Sequence, residues 1–184
     1  MVSEGLKGIF VANVPPVVFV RVVGRGTFEN SQPLFHFAEE MIERGQIDFI
    51  VDLKSCQGMD STFLGVLAGI ALRLHQNGQR GSLRVVNPGE RNDELLRTLG
   101  LDRLFDAGLP ALEPPADAEF QALPEADSAG RSKLLAEHET ARMMLEAHEN
   151  LIRADACNQQ KFENVTSVLR ERIDRQREEK KQDL

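Results

Sequence analysis

Ile47 to Gly65 reads IDFIVDLKSCQGMDSTFLG. Its first seven residues, IDFIVDL, form an apolar run of the length expected of a buried parallel strand. A short loop follows Asp52-Leu53. Met59-Asp60-Ser61-Thr62 then lead directly into an apolar helix, expected to run to about Gln76 before an Asn77-Gly78 turn. Ser61 falls where a helix N-cap is expected, with its hydroxyl near free backbone N–H groups and open to a partner.

The flanks repeat this alternation. Gly8–Ala12 is a short apolar run, Pro15-Pro16 punctuates it, and Val17–Val23 is rich in β-branched residues up to a Gly24-Arg25-Gly26 turn. Asn30 or Ser31 is the expected cap of a helix with Pro33 in its first turn. Leu34, Phe37, Ala38 and Met41 recur at helical spacing, and Gly45 stops it. Ser82–Val86 is a second buried strand, Glu90–Leu99 a third helix closed by Gly100, and Leu101–Phe105 the start of a further element. The order is β-β-α-β-α-β-α. It predicts an α/β fold, a mixed β-sheet with helices packed on it, followed by a C-terminal α-helical hairpin or one long helix.

Charge marks the organisation. The 184 residues carry 22 basic and 29 acidic side chains, a net −7. Residues 1–110 hold 11 basic and 13 acidic groups, residues 131–184 hold 11 of each, and residues 111–130 hold five acidic and no basic ones. That acidic segment also holds Pro114, Pro115 and Pro124, so the reading is a domain over 1–112, a linker over 113–130 and a helical extension over 131–184. In the extension, Leu134, Leu135, Ala141, Leu145, Leu151 and Ile152 mark one stripe, and Phe162, Val165, Leu169 and Ile173 another. Ala154–Asn158 is a candidate turn, capped by Asp155 or Asn158. A heptad register through Leu134, Ala141, His148, Asp155, Phe162 and Leu169 is too polar for a good coiled coil. The end, Arg170–Lys181, is charged all round and expected to fray.

The net negative charge makes nucleic acid a poor partner. Two cysteines, Cys56 and Cys157, do not make a disulfide framework and fit a reducing compartment. No apolar run reaches the length of a membrane span, and MVSEGLKGIF lacks the pattern of a signal peptide, so a cytoplasmic protein with no membrane insertion is expected.

The strand, the loop and Met59–Gly65, with the closing LRTLGLDRLF of residues 96–105, resemble the STAS domain of anti-sigma factor antagonists over roughly residues 8–110. In that family a strand ends in a D-L-like pair and the next helix begins M-D-S-[ST]-G-L-G. The resemblance implies a bacterial phosphoprotein in signal transduction and transcription regulation, a kinase substrate and not an enzyme. Antagonists of this type are phosphorylated on the Ser after that Asp, which is Ser61 here, with Thr62 the runner-up. The kinase is the anti-sigma factor itself, and a serine phosphatase is a further expected partner. The unphosphorylated antagonist binds the anti-sigma factor and releases sigma, and the phosphorylated form lets go.

Phosphorylation would add about −1.5 to −2 charge at the helix N-terminus, which favours an anion, beside Asp60, which does not. The simpler alternative makes Ser61 only a cap and Asp60 only a dipole partner. In the apolar helix Phe63–Leu72, Leu64, Leu67, Ala71 and Leu74 are expected on the sheet. Phe63, Val66 and Ile70 then lie on another face, either under the C-terminal helices or exposed to a partner. The expected partner surface is Met59, Asp60, Ser61, Thr62, Phe63, Val66 and Ile70, with Arg25 and Thr27 from the nearby turn.

Two positions depart from the family pattern. Phe63 stands where the family has Gly, which makes the switch bulkier. Thr27 stands where an acidic residue would fall, while Arg25 is a cation within reach of a phosphate if it points that way.

Other chemistry has less support. His36, His75, His138 and His148 lack metal-ligand spacing. Cys56 shows no neighbouring base, and neither does an enzymatic role for Asp60 and Ser61. No phosphate-binding or dinucleotide loop occurs, so no cofactor or metal is expected. The rival functions are an oligomeric STAS scaffold or sensor subunit, with a homodimer through the C-terminal helices, and a STAS accessory subunit of a transport system that is never phosphorylated.

Overall fold

Two β-branched runs on either side of Pro15-Pro16 fold back on each other. In the computed structural model, which describes residues 7–76, 81–105, 112–124 and 133–182, β1 (Gly8–Val14) and β2 (Val17–Gly26) pair antiparallel. Helix α1 (Phe28–Glu43) carries the chain over to β3 (Asp48–Asp52), which lies parallel to β2. Four further residues, β4 (Cys56–Met59), run parallel to the end of β2 where a loop was expected. Helix α2 (Ser61–Gln76) leads to β5 (Ser82–Val86), parallel to β3. Helix α3 (Gly89–Thr98) follows, and Leu101–Phe105 is a turn whose Leu101 and Phe105 enter the core.

Period-two alternation sorts each strand between two faces. Val18, Val20, Val22, Phe49 and Val51 join the large core under α1 and α2, while Phe19 and Ile50 face the other way. That second face is closed by the acidic segment itself. Gln121–Ala122, β6, pairs with β1 at the sheet edge, and Phe120 lies under the Arg21 guanidinium, 3.9 Å from ring centre. The order across the sheet is β5-β3-β2-β1-β6. Part of the stretch read as a linker therefore packs on the domain; its residues 125–130, and the Asn77-Gly78 turn, lie outside the described residues.

The extension is a hairpin. Helix α4 (Lys133–Ala154) ends at Asp155, whose carboxylate accepts the Cys157 N–H at 2.8 Å, as the turn reading expected. A 3₁₀ turn (Ala156–Asn158) passes into α5 (Gln159–Gln182). Ala141, Leu169 and Ile173 form the seam between them; the side chains of Leu134 and Leu135 lie outside the described set. Asn158, buried, ties the turn down by donating to the carbonyls of Leu99 (2.9 Å) and Leu151 (2.8 Å).

Helix α4 lies on the side of α2 away from the sheet. This explains a helix with no polar residue over Phe63–Leu72: a helix that is apolar all round must be buried all round. Leu64, Leu67, Ala71 and Leu74 are each at most 1% exposed, and Phe63, Val66 and Ile70 at most 4%. Two glycines let the helices close. A side chain at Gly65 would collide with the carbonyl of Ala147, and one at Gly69 with the amide of Asn150. Asn150 in turn donates to the Gly65 carbonyl at 3.4 Å.

Candidate functional site

The site is built where β2 and β4 end together. Gly26 pairs with Met59, and the Asp60 N–H donates to the Gly26 carbonyl at 2.9 Å, so α1 and α2 start side by side. Asp60 serves both starts. Its Oδ1 accepts the Phe63 N–H at 2.8 Å and its Oδ2 accepts the Phe28 N–H at 2.8 Å. The cap of α2 is therefore Asp60, one residue before the expected Ser61. A carboxylate accepts two N–H groups at once, and the positive ends of two helices favour it over a hydroxyl. The cap of α1 is likewise earlier than expected. Thr27 is the N-cap, and Asn30, in the third helical position, accepts the Thr27 N–H through Oδ1 at 2.8 Å.

With the capping done by Asp60, the Ser61 hydroxyl is released for another partner. That partner is His148 of α4, whose Nε2 is 2.9 Å from Ser61 Oγ. The other ring nitrogen, Nδ1, lies 2.7 Å from the Met144 carbonyl. A carbonyl only accepts, so Nδ1 carries the proton, and in the neutral ring Nε2 accepts the Ser61 O–H. His148 is 3% exposed, and its ring lies 5.2 Å from that of Phe162 on α5. Ser61 itself is half-buried. No sequence spacing could pair residues 87 positions apart. The one available signal was a polar residue at the centre of an apolar stripe.

The other expected partner residues divide. Asp60 and Ser61 are partly exposed, Thr27 sits beside them at the start of α1, and Arg25 is exposed. Thr62 is 3% exposed, Met59 8% and Phe63 0%, so these do not present a surface. Val66 and Ile70 are also buried, under the hairpin side of α2, so of the two alternatives for this face the cover by the C-terminal helices holds, and neither residue lies on an open partner surface. The Phe63 ring fills the space above Gly26, where a side chain would strike it. Its bulk thus goes into the core and adds nothing to the surface around Ser61. The exposed apolar group at the site is one the sequence reading missed: Phe28, 43% exposed, whose N–H is held by Asp60.

Cys56 lies on β4 behind the site, and burial pushes its thiol above the ordinary 9.0. A groove of about 410 Å³ runs between α1 and α4, lined by Phe35, Val66, Arg142, Met143 and Asn150 among others; Ser61 is not in its wall. Among the described residues no three His, Cys, Asp or Glu side chains converge as a metal site, and no helix is long and apolar enough to cross a membrane.

The STAS domain family model matches residues 9–114. Among solved structures, the unphosphorylated anti-sigma factor antagonist SpoIIAA is 17% identical, over 49% of this chain and 82% of its own, with a TM-score of 0.45. The protein TM1081 is 22% identical, over 58% and 85%, with a TM-score of 0.49. An anti-sigma factor antagonist from Mycobacterium paratuberculosis is 19% identical, over 61% and 92%, with a TM-score of 0.46. No curated protein matches this chain. The matched span holds strands β1 to β5, α1 to α3 and the Asp60-Ser61 helix start, with β6 beyond it, and on that match the chain belongs to the STAS domain family.

Proposed function

We propose that this chain is a regulatory protein-interaction module acting as an anti-sigma factor antagonist in the cytoplasm, with Ser61 the acceptor for a partner anti-sigma kinase and a serine phosphatase its reverse. The observation that carries the reading is the half-buried Ser61 hydroxyl at the first turn of α2, freed from capping by Asp60, whose other carboxylate oxygen holds the N–H of exposed Phe28. Thr62 is the weaker candidate because its side chain is buried. A phosphoryl group on Ser61 would meet the Asp60 carboxylate and so change what the surface at the start of α2 can hold. The test is incubation with a kinase-fold anti-sigma protein and ATP, read by intact mass. One phosphoryl group is expected on the native chain and on Thr62→Ala, and none on Ser61→Ala. Equal labelling of Ser61→Ala would refute the assignment.

A second reading, a STAS scaffold or accessory subunit that is never phosphorylated, is favoured by the bond already joining Ser61 to His148 and by Val168, 61% exposed on α5. It predicts no phosphate under the same conditions. In its scaffold form it also predicts a homodimer through the C-terminal helices, which light scattering detects and which Val168→Glu breaks.

A further inference from the structure

The face of α2 behind Ser61 already has an occupant, the chain's own C-terminal hairpin. The fit is built into the sequence: Gly65 and Gly69 bring α4 within reach of the α2 backbone, and the His148 imidazole closes on the Ser61 hydroxyl. We propose that the α4–α5 hairpin is a cover latched by the Ser61–His148 hydrogen bond, and that a phosphoryl group on Ser61 loosens it, uncovering the face of α2 beneath. This rests on Ser61 being the phosphoacceptor.

The chemistry gives the direction. With Nδ1–H committed to the Met144 carbonyl, an uncharged ring leaves Nε2 as the acceptor and the Ser61 O–H as the donor. Esterification replaces that hydrogen by phosphorus. Two acceptors then face each other, and a tetrahedral group does not fit a 2.9 Å gap. The phosphate can swing outward, since Ser61 is half-exposed, but His148 cannot follow. Its ring is buried against Phe162, and the preceding residue, Ala147, rests its backbone on Gly65. A buried acceptor left unpaired shifts the closed-to-open balance by about five- to a hundredfold towards open. The adjacent Asp60 carboxylate adds like-charge repulsion towards the phosphate.

The consequence is a reversed sequence of events. In the simple antagonist, phosphate on the serine dismisses the partner. Here the same charge acts first on the hairpin, and α2 becomes available only once the cover has lifted.

The test needs no kinase. Phosphoserine is installed at position 61 of the full chain during translation, and backbone hydrogen exchange is followed by mass spectrometry. Peptides covering residues 141–154 of α4 are expected to exchange at least about fivefold faster than in the native chain, with the β2 and β3 peptides unchanged as an internal check of folding. Unchanged or slower exchange in α4 overturns the proposal; slower exchange would mean a phosphate–imidazolium pair that locks the hairpin.

A second measurement does not depend on the phosphoprotein. Ser61→Ala should speed α4 exchange by orphaning Nε2, and Ser61→Ala combined with His148→Leu should restore most of the protection. Additive effects of the two changes would equally refute the latch. A kinase that leaves Ser61 untouched would instead sink the phosphoacceptor assignment without altering either result.

Discussion

Replacing Gly65 with alanine sets two effects against each other. Gly65 lies inside α2, where Ala is favoured by about 1 kcal/mol on helix propensity alone. A change that touched nothing else would therefore stabilise the protein. But the new methyl would collide with the Ala147 carbonyl, a backbone atom with no rotamer to retreat into. Overfilling a packed contact costs about 1–3 kcal/mol, and the upper half of that range applies when backbone must move. The net expectation is a loss of about 1–2 kcal/mol, or a melting temperature lower by about 2–8 °C for a chain of this size. Hydrogen exchange should place the damage in α4 and α5, leaving β2 and β3 protected. Gly69→Ala is the control. Its methyl meets only the amide of Asn150, which can swing aside at the expense of a 3.4 Å hydrogen bond, so propensity and clash nearly cancel. If Gly65→Ala melts at or above the native temperature, α4 is not seated on α2, and the covered switch is refuted with it.

Asp60→Ala removes the acceptor of two helix-start N–H groups and should cost about 2–4 kcal/mol in urea denaturation. Asp60→Asn keeps one carbonyl oxygen and should cost about half, and equal losses would contradict the bridging role. Asn158→Ala strips a donor from two carbonyls and should cost about 2–3 kcal/mol, loosening the hairpin turn first in hydrogen exchange. Burial raises the Cys56 pKa, so at pH 8 iodoacetamide should label exposed Cys157 well before Cys56; comparable peptide labelling would argue against a covered β4. The Cys157 N–H holds Asp155 below its ordinary 3.8, so its support of the turn is present above that value and fades as pH falls through the lower folded one. Asp155→Asn should flatten that acid dependence.

The fold was legible where the sequence carried a period or a run. Asp48–Asp52, Ser82–Val86 and the helix from Ser61 to Gln76 agree closely with their readings, because Phe49–Val51 and Phe63–Leu72 are uninterrupted apolar runs and Leu83, Val85 and Val86 keep most of one in β5. What escaped were features set by long-range partners. Cys56–Met59 has no strand-like composition and becomes β4 only because the end of β2 offers it hydrogen bonds. Gln121–Ala122 sits in an acidic, proline-bearing stretch and is a strand only through β1. The two caps were misassigned for a related reason: Ser, Thr, Asn and Asp all cap in isolation, and the choice fell in α2 to Asp60, which serves both helix starts, and in α1 to Thr27, whose N–H Asn30 reaches back to hold. His148 was read on a seam, as a flaw in a coiled coil. Its meaning depended on a hydroxyl on another element. The open question of whether α2 had cover or an exposed apolar face could be settled only by where the hairpin packed.

The anchoring of the hairpin turn by Asn158 to Leu99 has an effect on competition. Because one end stays tethered, the displaced helices remain close to their seat, at an effective concentration in about the millimolar range for a short flexible tether. An outside protein seeking α2 does not meet a vacant surface; its apparent affinity is reduced by the fraction of molecules open at that moment. Tuning the stability of a few residues around position 158 would therefore set the threshold of the response without altering a single contact made by the incoming molecule.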